Sequence, residues 1–155
     1  MNWLKLVIAI FVSELAGVIG AIFTAPAIPT WYAALNKPGF TPPSAVFAPV
    51  WTLLFLLIGI AAYLVWNEGF GKREVRIALA IFLLQLGLNV FWTYLFFGLQ
   101  NPLAGFAEII FLWLAILATI IAFSRVSTLA ALLLVPYILW VSLAATLNYF
   151  IVALN

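Results

Sequence analysis

Five apolar runs, each long enough to cross a bilayer, follow one another with little between them. They fall at about residues 4–23, 44–66, 75–97, 103–123 and 128–153. About 20 apolar residues span hydrocarbon as a helix. Inside hydrocarbon every backbone polar group must find its partner within the protein, which leaves helices or closed barrels. Runs of this length predict helices. The fold class expected is therefore an all-α membrane protein, a bundle of five transmembrane helices in a single domain spanning residues 1–155. Composition agrees: 68% of residues are hydrophobic and 6% charged, against about 25% charged in soluble domains. Lys5 followed by an apolar run has the look of a signal peptide. That run is long and leads into Ala-Pro-Ala-Ile-Pro, so it reads as the first span. Three connectors are short, which makes successive helices antiparallel neighbours.

Five spans put the two ends of the chain on opposite sides. Lys5, Lys72, Arg73, Arg76 and Arg125 fall on the side of the N-terminus, and Lys37 alone on the other. The positive-inside rule then places the N-terminus in the cytoplasm and the first loop and C-terminus outside, toward the periplasm or its equivalent; the membrane expected is a bacterial inner membrane. The chain has no cysteine and no histidine. Disulfides, thiolate chemistry, histidine bases and haem-ligating imidazoles are thereby excluded. No metal cluster, nucleotide motif or catalytic triad is visible, and no cofactor is expected. The basic residues form no patch suited to nucleic acid.

The long first connector, Trp31–Trp51, reads WYAALNKPGFTPPSAVFAPVW. It carries Pro38, Pro42, Pro43 and Pro49 among five aromatic residues. Each proline fixes its own φ and drives the preceding residue out of the helical region. A stretch so stiff and apolar is expected to pack as a lid over the mouth of the bundle. An interfacial aromatic belt would account for the rings but not for the prolines. Within the first span Ser13, Gly17 and Ala21 recur every four residues beside Ala16 and Gly20, and Ala115, Ala118 and Ala122 do likewise in the fourth. Such spacing lets helix backbones approach closely, within the bundle or across a dimer.

Polar groups at membrane depth are costly and each needs a reason. Glu14, near the middle of the first span, reads either as a proton or cation site or as a neutral, hydrogen-bonded carboxyl that fixes packing. Glu108 in the fourth span has the same two readings. Gln85 and Asn89 share a helical face with Trp92 and Phe96, Trp140 shares one with Ala144 and Asn148, and Phe47 one with Trp51 and Phe55. These stripes serve as core, with the amides as interhelical glue. Alternatively they wall a pocket for a flat apolar ligand with a few polar groups, where Ala144 leaves room beside Trp140.

Three ordered motifs carry a family resemblance: WYxxLxKPxFxPPxxxFxPVW at Trp31–Trp51, QLxLNxxWxxxFFG at Gln85–Gly98 and PYxxWxxxAxxLNY at Pro136–Tyr149. The chain resembles the tryptophan-rich sensory protein family, also called translocator protein or peripheral-type benzodiazepine receptor. The resemblance implies a five-helix bundle, homodimeric, embedded in lipid. It implies a receptor or translocator that binds protoporphyrin IX, other tetrapyrroles and benzodiazepine-site ligands, with a role in tetrapyrrole regulation or transport. By motif position the ligand site would be lined by Tyr32, Phe47, Trp51, Phe55, Asn89, Trp92, Trp140, Ala144 and Leu147. The alternative it implies is light- and oxygen-dependent degradation of protoporphyrin, with Trp51 and Trp140 in the photochemistry. Glu14 motivates a third reading, a small proton-coupled multidrug exporter, although exporters of that kind have four spans and no such loop. The sterol motif of the family needs a basic residue soon after Tyr149, and none follows here.

Overall fold

Asn2 opens the first helix by accepting a hydrogen bond at its side-chain oxygen from the Lys5 amide at 3.2 Å. A computed structural model of the protein describes residues 1–155. Its helices are α1 (Trp3–Ala27), α2 (Phe47–Asn67), α3 (Arg73–Thr93), α4 (Pro102–Ser124), α5 (Thr128–Leu133) and α6 (Val135–Leu154). Asn101 and Ser127 cap α4 and α5 in the manner of Asn2. Five segments are long and apolar enough to cross a membrane: Trp3–Tyr32, Ser44–Asn67, Arg73–Gly98, Pro102–Ser124 and Thr128–Leu154. The protein is an integral membrane protein with no strands.

The first span is longer than the sequence suggests. Pro26 does not end it, and the helix widens into a π-helical turn at Ile28–Tyr32. Proline removes one amide donor and crowds the preceding turn. Here the Thr30 hydroxyl donates to the Pro26 carbonyl at 2.7 Å, so the disturbed turn stays hydrogen-bonded. Trp31 and Tyr32 therefore belong to the helix and not to the loop. The third span also ends in a π turn, Tyr94–Gly98. The two turns face each other: Trp31 lies 5.4 Å from Phe96 and Tyr32 5.7 Å from Phe97, ring centre to ring centre. The fifth span is broken at Leu134, where Pro136 starts α6 afresh.

α1 packs along α2 and α3, α3 along α4, and α4 along α6, while α2 closes the ring chiefly through α5. α2 scarcely meets α6, and that gap is what the site occupies. The small residues of α1 do pack within the bundle. Ala9, Ser13, Ala16 and Gly20 are buried, and Gly59 of α2 sits so close that a Cβ there would stand 2.7 Å from the Ile10 Cα. The Trp113 indole donates to the Ser142 hydroxyl at 2.8 Å, tying α4 to α6. Glu108 is buried, yet neither carboxyl oxygen has a partner. Glu14 is half-buried. Neither shows the hydrogen bonds of a packing carboxyl.

The loop is pinned by its charge and its ends. The Lys37 ammonium donates to the carbonyls of Tyr32 at 2.6 Å and Leu35 at 2.9 Å, capping the end of the first span. The Asn36 amide N–H donates to the Asn155 side-chain oxygen at 3.0 Å, and the Asn155 side-chain amide donates back to the Asn36 carbonyl at 2.9 Å. Phe40 packs edge-on to Phe150 at 5.6 Å. The loop thus caps the C-terminal end of α6. Replacing Lys37 with Met removes the charge from those carbonyls, a change of about 1 kcal/mol. Amide hydrogen exchange across residues 33–43 should then accelerate about fivefold, with exchange elsewhere unchanged.

Candidate functional site

Between α1, α2, α3 and α6 lies a cavity of about 330 Å³. Each wall comes from a helical stripe. α2 supplies Phe47, Trp51 and Phe55, one turn apart, and Trp51 stacks on Phe55 at 5.6 Å. α3 supplies Asn89, Trp92 and Thr93, with Phe96 of the π turn stacked on Trp92 at 5.4 Å. α6 supplies Trp140, Ala144 and Leu147. Tyr32 closes the outer end, 5.9 Å from Phe47, and Phe47 in turn meets Trp140 edge-on at 6.4 Å. All nine residues singled out from the sequence line this one cavity. Of the loop, only its ends take part. Tyr32 before it and Ser44 and Phe47 after it line the cavity, but residues 33–43 do not. The proline-rich stretch is therefore a clamp on α6 rather than the cavity's roof, because Lys37, Asn36 and Phe40 draw it toward the bundle's rim.

What the motif reading missed is the α1 wall, made of Gly17, Gly20 and Ala21. Their small size signals helix packing. It also leaves the volume that the rings opposite enclose. A Cβ at Gly17 would stand 2.7 Å from the Phe55 ring. Val18, Ala21 and Ala25 of α1 and Ala48 and Thr52 of α2 line the cavity and are exposed on the outer surface as well. The cavity therefore opens sideways between α1 and α2, toward hydrocarbon.

No charged side chain lines the cavity, and its polar groups are few. Asn148 is fully engaged: its side-chain oxygen accepts from the Trp92 indole at 3.1 Å, and its amide donates to the Pro102 carbonyl at 2.7 Å. Asn89 is half engaged. Its amide nitrogen donates to the Tyr137 hydroxyl at 2.9 Å, which donates to the Gln85 side-chain oxygen at 2.8 Å. Its own side-chain oxygen is left facing the cavity. The indole N–H groups of Trp51 and Trp140 make no hydrogen bond within the protein. The site thus offers flat aromatic walls, the free indole donors of Trp51 and Trp140, the free Asn89 oxygen and the unpartnered hydroxyls of Tyr32 and Ser44. It suits a planar apolar molecule with polar groups on its edge. Groups for acid–base or metal chemistry do not meet here: no three Asp, Glu, His or Cys side chains converge on a metal position.

Fold and cavity together define a five-span helical membrane protein with an aromatic chamber inside its bundle. Residues 9–154 match the TspO/MBR family, and the chain belongs to that family. It is 49% identical over 155 residues to the tryptophan-rich protein TspO of Archaeoglobus fulgidus, covering 100% of this chain and 99% of that one. It is 44% identical over 152 residues to the tryptophan-rich protein TspO of Chlorobaculum tepidum, covering 98% and 96%. It is 40% identical over 121 residues to the human translocator protein, covering 77% of this chain and 71% of that one.

Proposed function

We propose that the protein is a membrane receptor or translocator that binds protoporphyrin IX, related tetrapyrroles and benzodiazepine-site ligands in this cavity. The observation that carries the reading is the convergence of Trp51, Trp92 and Trp140 with Phe47, Phe55 and Tyr32 on one uncharged chamber. Stacked and edge-on rings supply a large contact area to a flat ligand. The volume of about 330 Å³ lies at the low end of ligand pockets. A tricyclic ligand fits within it, and a macrocycle would extend through the gap between α1 and α2. The excess of basic residues on the side of the N-terminus supports a cytoplasmic N-terminus.

The test is quenching of tryptophan fluorescence by protoporphyrin IX in nanodiscs. The wild type should quench saturably. Trp51→Ala and Trp140→Ala should each raise Kd about 10- to 30-fold, the loss expected for an aromatic wall of the site, about 1.5–2 kcal/mol. Unchanged affinity in both variants would remove the cavity from consideration.

One observation favours a second reading, degradation of bound protoporphyrin by light and oxygen. Trp51 and Trp140 stand in the same chamber, each within reach of an excited pigment as electron donor. Illuminated protein should then bleach the pigment faster than detergent micelles do, and more slowly when either indole is removed. Neither Glu14 nor Glu108 lines the cavity, so the site lends nothing to a proton-coupled exporter.

A further inference from the structure

Gln85 and Tyr137 are fully buried and line no part of the cavity; Tyr137 meets two of its lining residues, Asn89 by a hydrogen bond and Trp51 edge-on at 6.3 Å. The hydrogen bonds run from Asn89 to Tyr137 to Gln85. This polarity leaves the Gln85 side-chain nitrogen buried with no partner. Rotating both amides by half a turn about their last bonds reverses every donor and acceptor. Gln85 then donates to the Tyr137 hydroxyl, the hydroxyl donates to the Asn89 oxygen, and the Asn89 NH2 faces the cavity. An amide carries both donors and acceptors, and a hydroxyl serves as either, so the chain is complete in both senses. Each sense strands one half of the Gln85 amide, so the relay makes the same number of hydrogen bonds in both. Ser13, also buried with an unpartnered hydroxyl, lies two turns below the Gly20–Thr93 contact and so at the depth of Gln85.

We propose that Gln85 and Tyr137 form a reversible hydrogen-bond relay that sets whether Asn89 offers the ligand an acceptor or a donor. Gln85 and Tyr137 are positioning residues that decide which polar edge of a planar ligand the chamber accepts. One pocket can thereby take planar molecules with an N–H edge and planar molecules with a carbonyl edge. This inference rests on the cavity being a ligand site, as proposed above.

Three nearly isosteric tricycles separate the cases: carbazole with an N–H donor, 9-fluorenone with a carbonyl acceptor, and fluorene with neither. Binding is measured by titration calorimetry in nanodiscs, with partition into empty nanodiscs subtracted. The wild type should bind carbazole and fluorenone each about fivefold or more tighter than fluorene. Gln85→Met keeps the volume but removes the far end of the relay. The Tyr137 hydroxyl then has only the Asn89 oxygen to donate to, which turns the Asn89 NH2 to the cavity. Carbazole should weaken about tenfold, one hydrogen bond's worth, while fluorenone and fluorene stay as in the wild type. In the double variant Gln85→Met/Tyr137→Phe, Asn89 is free to turn, and carbazole affinity should return.

An equal loss for all three tricycles in Gln85→Met would mean a merely structural role and would overturn the relay. So would unchanged binding of all three, or a carbazole loss that Tyr137→Phe does not rescue. Absence of saturable binding of any tricycle to the wild type would overturn the ligand site itself, and the relay's role with it.

Discussion

Ala144→Phe should abolish protoporphyrin binding, raising Kd at least about 100-fold, the equivalent of about 3 kcal/mol, while leaving the bundle folded. Ala144 lines the cavity on α6 beside Trp140 and Leu147. A phenyl group there points into the open volume of about 330 Å³ rather than into packed core. Filling space that is not occupied by side chains carries no overpacking penalty, so thermal stability should hold or rise slightly. Binding fails because the ring takes the place the ligand's flat face would use. Tryptophan quenching measures the first effect, and a melting scan in the same nanodiscs the second. Loss of both binding and fold would instead place Ala144 in tight core contact.

The second large effect concerns the α1–α2 crossing. Gly59→Ala should lower Tm by about 5–12 °C, reflecting a loss of about 2–4 kcal/mol. The added Cβ would meet the Ile10 Cα at 2.7 Å and the Ala9 carbonyl oxygen at 3.1 Å. These are backbone atoms, so no side-chain rotation can relieve the overlap, and the two helices must separate. In lipid their attraction comes from close packing rather than from water exclusion, so separation removes most of what holds that crossing. Gly87→Ala is the control. It lies in α3 with nothing within 4 Å of its would-be Cβ, and its Tm should not fall. Equal melting of the two variants would contradict the crossing as described.

The membrane class and the five spans are legible in the sequence because the bilayer imposes one length and one composition on every crossing. The aromatic walls are legible too. Phe47, Trp51 and Phe55, or Asn89 and Trp92, repeat at helical spacing, and a repeat of that kind fixes a shared face before any partner is known. Span ends are less so. Pro26 and Pro29 look like a stop signal, but the Thr30 hydroxyl and a π turn carry the helix through to Tyr32. The loop misleads for a different reason. Proline content shows stiffness but not direction, and direction is set by contacts distant in sequence, Asn36 with Asn155 and Phe40 with Phe150. The α1 wall is hidden because glycine and alanine signal close approach equally well to another helix or to a ligand. Only the divergence of α2 from α6 tells the two apart at Gly17 and Gly20.

The most direct test is a structure of the protein in lipid with protoporphyrin IX bound. The macrocycle should lie between α1, α2, α3 and α6, with one face on Trp51 and Phe55, its far side on Trp140, and its edge emerging between Ala21 and Thr52. Pigment lying on the outer, lipid-facing surface, with Trp51 still packed on Phe55 and the chamber free of it, would contradict it.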